Sequence, residues 1–271
     1  MIENLSIFQW SILILAALCI GMSKTGVQGM MLLIVPHMAM AFGAKESTGV
    51  ILPMLCMADI MAVAYYKRIA DWKTVARLLP TAILGFLVAL FVDKLVPAQG
   101  FRQLMGWTLA LAMAVMIWSE ISVKPTTSRE PSSSLETPSC EGERAKLKAN
   151  RYMQKWWYSA LFCLLGGFTT MIGNAAGPVM SVYLLSMRKG KMEYIGINAW
   201  FFLVVNLLKV PFQIFAWDNI TWGSFTLNLL MLPVIGIGAL LGIRMVKLFP
   251  EKAFRRFIQI VTILSVAMMF V

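Results

Sequence analysis

The sequence predicts an all-α, polytopic membrane protein: about ten transmembrane segments, arranged as two inverted five-segment repeats with broken helices. Three observations carry that prediction. First, 59% of the 271 residues are hydrophobic and only 14% are charged, whereas a soluble domain is about 25% charged and cannot hide so much apolar surface. Second, the two halves of the chain repeat one another. Third, the basic residues gather in alternate gaps between the apolar segments. Together these exclude a soluble enzyme, a secreted disulfide domain and a disordered tail.

Apolar runs that reach or approach the ~20 residues of a membrane-spanning helix lie at 5–22, 30–43, 49–66, 74–96 and 101–119, then at 156–173, 176–187, 194–217, 222–243 and about 253–271. The first run follows Met1-Ile2-Glu3-Asn4. It has neither the basic flank nor the small-residue cleavage site of a signal peptide, and reads as a membrane segment. Between the two sets lies a stretch with Ile121-Ser-Val-Lys-Pro-Thr-Thr-Ser-Arg-Glu-Pro-Ser-Ser-Ser near its start. Such composition buries too little surface to offset the entropy of ordering. The chain thus divides into a first membrane repeat (1–119), a flexible linker (120–155) and a second membrane repeat (156–271).

A shift of 153 residues lays Leu79-Pro80 on Leu232-Pro233, Gly85 on Gly238, Lys94-Leu95-x-Pro97 on Lys247-Leu248-x-Pro250, and Phe101-Arg102 on Phe254-Arg255. Nine of the 24 positions from 79 to 102 are identical under it, well beyond chance in apolar sequence. Earlier in the chain the shift is 147: Gly26 meets Gly173, Gly49 meets Gly196, and Asp59 meets Asn206. The unit has five segments, an odd number, so the second copy must enter the bilayer the other way up.

The charge distribution agrees with that inversion. The even-numbered gaps and the termini hold only Lys45, Lys94 and Arg102, against 20 of the 24 basic residues in the odd-numbered gaps, seven of them in the linker. By the positive-inside rule the linker is cytoplasmic and both termini are outside. The net charge of +11 is therefore a topology signal and not a nucleic-acid footprint. Inverted repeats joined by a cytoplasmic linker are the construction of many secondary transporters.

The short, Gly/Pro-interrupted segments of such proteins point to the substrate site. Here they are 30–43, containing Pro36, and 176–187, opening with Gly177-Pro178. Each follows a polar break: Gly21-x-Ser23-Lys24-Thr25-Gly26-x-x-Gly29 in one half, Thr169-Thr170-x-x-Gly173-Asn174-x-x-Gly177 in the other. A break exposes N–H groups at the start of the downstream half-helix, where the dipole favours an anion. Lys24 adds a charge and Asn174 adds amide donors. The competing reading is a pair of re-entrant turns capped by their own Ser and Thr.

Charges inside spans are expensive and default to functional hypotheses. Two are clear cases, Asp59 and Lys209. Asn206 matches Asp59 by repeat and lies three residues before Lys209, on the same helix face. Lys209 and Asn206 are expected to hold an anion near the midplane, with Asp59 balancing charge or carrying a proton. The alternative is a buried Asp59–Lys209 tie that only aligns the repeats. His37, a lone histidine, reads as a packed side chain. The methionines read as apolar filler, and the four isolated cysteines as small buried residues, so no metal site or cofactor is expected. Neither a His-Glu-x-x-His motif nor a pair of intramembrane carboxylates occurs, which argues against an enzyme.

At these residues the chain resembles the sulfite exporter TauE/SafE family, also called the toluene-sulfonate uptake permeases. The first-half resemblance runs through Gly21-x-Ser23-Lys24-Thr25-Gly26-x-x-Gly29, Lys45-x-Ser47-x-Gly49-x-x-Leu52-Pro53, Asp59-x-x-Ala62-x-x-Tyr65-Tyr66 and Asp71-Trp72. The second-half resemblance runs through Asn174-Ala-Ala-Gly177-Pro178, Tyr183-Leu184-Leu185 and Gly196-x-x-Ala199-Trp200-Phe201-Phe202-x-x-x-Asn206-x-x-Lys209-x-Pro211. The resemblance implies transport of small sulfur-containing anions such as sulfite, sulfoacetate or related sulfonates, often outward, whereas the residues alone reach only a small anion or polar solute. The expected protein is a bacterial inner-membrane carrier working by alternating access in the lipid bilayer. Ser23, Lys24, Thr25, Gly26, Asn174, Asn206 and Lys209 are its candidates for binding. A passive anion channel is the rival. A coupling proton or ion, and assembly into a homo-oligomer, are left open.

Overall fold

A backbone surrounded by hydrocarbon has to satisfy its N–H and C=O groups within its own segment, and the described apolar runs of this chain do so as α-helices. The computed structural model describes residues 5–25, 30–66, 72–122, 156–177, 179–180, 183 and 191–248. They form α1 (Ile7–Thr25), α2 (Met30–Phe42), α3 (Ala44–Tyr66), α4 (Trp72–Leu95), α5 (Ala98–Ser122), α6 (Trp156–Gly173), α7 (Lys191–Phe215), α8 (Trp222–Leu230) and α9 (Leu232–Leu248). Residues 176, 177, 179, 180 and 183 are also helical, where the sequence places its seventh segment. The final segment at 253–271, linker residues 123–155, Gly26 and Pro178 lie outside the described residues.

Among the described residues four helices are long and apolar enough to cross a membrane: Ile7–Thr25, Ala44–Tyr65, Trp72–Leu95 and Gly196–Phe215. The pair Trp222–Leu230 and Leu232–Arg244, bent by 47°, makes a fifth crossing if it is one span. The break falls at Met231, two residues before Pro233, which has no N–H to offer the Leu229 carbonyl one turn earlier. The sequence predicts one segment at 222–243 and does not predict this break. It also starts the third segment at 49, while α3 begins at Ala44. Gly43, at φ 97°, turns the chain in a single residue, with its N–H on the Ala39 carbonyl and its own carbonyl accepting from Ser47. Only glycine takes that conformation cheaply.

Outward faces are apolar. Leu84, Leu87, Phe91 and Leu95 of α4, and Leu240 and Leu241 of α9, are exposed, a surface suited to acyl chains and not to water. Inside, α1 packs along α9, α4 along α6, and α3 against α7. Two of these contacts close on glycine. A methyl group at Gly238 would overlap the Leu18 carbonyl, and one at Gly85 would overlap the Leu164 carbonyl. Small residues allow such close approach of helices. Gly85 and Gly238 match under the 153-residue shift, so the same notch occurs twice. The α3–α7 contact carries the polar centre.

Candidate functional site

The site grows from the ends of α1 and α6 and the middles of α3 and α7. Lys24 lies in the last turn of α1, where its charge opposes the partial negative end of the helix dipole. Its Nζ lies 2.8 Å from Oδ1 of Asp59 and 4.3 Å from the centre of the Phe202 ring. Asp59 is fully buried, and its Oδ2 accepts from Asn206 Nδ2 at 2.6 Å. Residues 59 and 206, matched by the repeat, therefore touch each other.

At the end of α6, Asn174 adopts φ 52°, the left-handed conformation that asparagine tolerates better than most residues. Its N–H reaches back to the Thr170 carbonyl at 3.1 Å and caps the helix. Lys209 Nζ donates to that same carbonyl at 2.7 Å, to Thr170 Oγ1 at 3.3 Å and to Asn174 Oδ1 at 2.6 Å. An ammonium group has three protons, and all are used. Lys209 therefore fixes the direction of the Asn174 amide.

Between these groups lies a cavity of ≈ 30 Å³ lined by Ser23, Lys24, Thr170, Asn174, Asn198, Phe202 and Asn206. That is room for about two waters, less than a four-atom oxyanion needs. Three buried side-chain atoms of its lining find no hydrogen-bond partner among the described residues: Asn174 Nδ2, Asn198 Oδ1 and Asn206 Oδ1.

The structure brings Ser23, Lys24, Asn174 and Asn206 to this cavity, with Asp59 behind Lys24. It narrows the expected polar break in the first half: α1 stays helical through Thr25, and residues 26–29 lie outside the described residues. Ser23, Lys24 and Thr25 thus sit at the C-terminus of α1, and Ser23 and Lys24 share the cavity lining with Met31 from the first turn of α2. Thr25 faces away from the cavity: its hydroxyl lies 3.0 Å from the Gly21 carbonyl and 2.9 Å from Ala239 O of α9. Lys209 does not line the cavity either, since its donors are committed to the end of α6. The alternative of an Asp59–Lys209 tie is not formed: Asp59 pairs with Lys24. His37 Nδ1 donates to the Leu33 carbonyl at 2.7 Å.

Sequence reasoning did not single out Asn198 or Phe202. Both could have been found by stepping back four and eight residues from Asn206 along the same face of α7. A second polar cluster lies at the start of α3. Lys45 Nζ contacts Asp93 at 2.8 Å and sits 4.9 Å from the Trp217 ring, while Asn219 Nδ2 donates to Lys45 O and Gln213 Oε1 at 2.9 and 3.2 Å.

No curated protein and no solved structure matches the chain. A family model described as sulfite exporter TauE/SafE matches residues 13–269 of the 271. With several apolar membrane-crossing helices and a match across nearly its whole length, the chain belongs to the sulfite exporter TauE/SafE family of multi-pass membrane transporters.

Proposed function

We propose that the protein is a secondary carrier that exports small sulfur oxyanions, such as sulfite, sulfoacetate or related organosulfonates, by alternating access. One observation carries the reading. The buried centre holds two lysines, Lys24 and Lys209, against one carboxylate, Asp59, and one of those lysines faces a cavity beside the unpaired Asn174 amide. Uncompensated charge in a low-dielectric interior is costly, and a bound monoanion cancels this excess.

Asp59 occupies Lys24 while no anion is present. An arriving anion replaces Asp59 as its partner and gains Asn174 Nδ2 as a second donor, while Lys209 holds Asn174 in place. Because the cavity is too small for such an anion, Lys24 has to swing from Asp59 as the anion enters. Phe202 gives its charge a partner in either position. Asp59 balances charge, and any proton coupling would run through it.

Alternation requires two halves that can exchange roles. The doubled glycine notch and the contact between Asp59 and Asn206 support an inverted repeat whose pseudo-two-fold axis passes between those two residues. We take 1–119 and 156–271 as the repeats, each of five segments, with both termini outside a bacterial inner membrane and the linker 120–155 cytoplasmic. On that topology Lys45, Asp93, Trp217 and Asn219 all lie on the outer side and close it.

Counterflow of labelled sulfite in proteoliposomes tests the reading. A carrier exchanges faster than it moves net substrate, whereas a channel passes currents far above a carrier's turnover. If Lys24→Ala and Lys209→Ala both transport as the unaltered chain does, the site is misassigned.

A further inference from the structure

We propose that the cavity selects its anion in the protonated form: a hydrogen oxyanion that carries both a charged oxygen and an O–H, such as hydrogen sulfite. This narrows the substrate class proposed above and rests on the cavity being the substrate seat.

The inference follows from two asparagines whose amides cannot turn over. Asn174 Oδ1 is held by the Lys209 ammonium at 2.6 Å, so its Nδ2 is left as a donor. Asn206 Nδ2 is held by the Asp59 carboxylate at 2.6 Å, so its Oδ1 is left as an acceptor. Flipping either amide would set an NH2 against an ammonium or an oxygen against a carboxylate. Both residues are more than nine-tenths buried, both line the cavity, and both leftover atoms lack a partner among the described residues. Asn198 Oδ1 is a second unpaired acceptor in the same lining.

The seat therefore presents Lys24 and one amide N–H to anionic oxygen, and amide oxygens to something that must donate. A sulfonate head has three oxygens and no proton. It satisfies Lys24 and Asn174 and leaves the amide oxygens unmatched or facing its own oxygens. Hydrogen sulfite satisfies Lys24 and Asn174 and has one O–H to give to an amide oxygen. A buried acceptor left unmatched is what makes such a site reject an analogue lacking the hydroxyl. The transported unit then carries one negative charge and its own proton, so export of that proton needs no protonation of Asp59.

Titrations of the purified full chain in detergent, at mildly acidic pH where sulfite is mostly hydrogen sulfite, test this. Hydrogen sulfite and methanesulfinate carry the same charge and differ by a hydroxyl in place of a methyl. We expect hydrogen sulfite to bind at least about tenfold more tightly. Asn206→Leu is expected to close most of that gap by weakening hydrogen sulfite alone. Should that variant fail to fold, bicarbonate and acetate on the unaltered chain, titrated at mildly alkaline pH where both are monoanions, form a second hydroxyl–methyl pair, with the same order expected. If the members of each pair bind equally, or the methyl member binds more tightly, the protonated-form reading is overturned while the anion seat stands. If none of the four binds, the seat itself is wrong and this inference falls with it.

Discussion

The Lys24–Asp59 pair can be tested for stability separately from transport. Lys24 is only 11% exposed and Asp59 is not exposed at all, so solvent screens the pair weakly. Lys24→Met strands the carboxylate with the single Asn206 bond, and removing one partner of a buried ion pair costs about 3–5 kcal/mol. Asp59→Asn strands Lys24, but that ammonium keeps the Phe202 face at 4.3 Å, a contact worth about 0.5–2 kcal/mol, and some water. Its cost should be smaller. The double variant strands neither charge, so adding Asp59→Asn to Lys24→Met should restore stability. The expected coupling is about 2–3 kcal/mol, at the upper end for contacting residues. Melting of the detergent-purified variants reads it, and roughly 2–4 °C per kcal/mol makes the recovery measurable. Sulfite transport should stay lost in the double variant, because the anion's partner is still missing. If the two costs simply add, Lys24 and Asp59 are not an energetic pair and the geometry has been misread.

Other outcomes follow from single contacts. Lys209→Met leaves Asn174 Oδ1 unpaired, which costs about 1–3 kcal/mol, and frees the amide to turn, so KM for sulfite should rise in flux assays. Gly85→Val and Gly238→Val should each lower the yield of monodisperse protein on size-exclusion chromatography, because a side chain there meets a helix backbone. At Gly177, on the cavity wall, a Cβ meets nothing within 4 Å; Gly177→Ala should melt near the unaltered temperature yet weaken transport by narrowing the seat. Gln213→Leu removes the amide shared by Thr48 and Asn219 and should lower the melting temperature by an amount that matches about 1–3 kcal/mol.

Helix positions were legible because hydrocarbon permits little else, and apolar run length alone locates α1, α4 and α6 closely. Asp59 and Lys209 stood out because charge in such runs is costly. Which lysine meets Asp59 was not legible. Lys24 and Lys209 are both long enough, and the choice depends on where α1 and α6 end in space. The helical continuation through Thr25 hid for a related reason. Gly21, Ser23 and Gly26 read locally as a break, but Gly21 is needed for close approach to Ile235 of α9, and tertiary packing keeps that turn helical. Asn198 was missed because a lone amide in an apolar helix carries no full charge to flag it.

Asp59 and Asn206 raise a final point about duplication. If the halves descend from one unit, position 59 and position 206 began as the same residue, and here they meet at 2.6 Å. Two carboxylates at that distance cannot both stay ionised, so an aspartate in both copies would force a proton between them. An amide in one copy keeps the contact, satisfies a carboxylate oxygen and leaves the other oxygen for Lys24. Asn206→Asp therefore restores the conflict. The folded variant must hold a proton that its unfolded chain releases at neutral pH, so it should be most stable in acid and lose stability as pH rises towards neutrality. Melting temperature against pH, compared with the unaltered chain, measures this. A flat difference would mean that the second carboxylate finds its own cation. Lys209, one turn along the same face, is the nearest on α7, and its commitment to Thr170 and Asn174 would then be weaker than its three short contacts indicate.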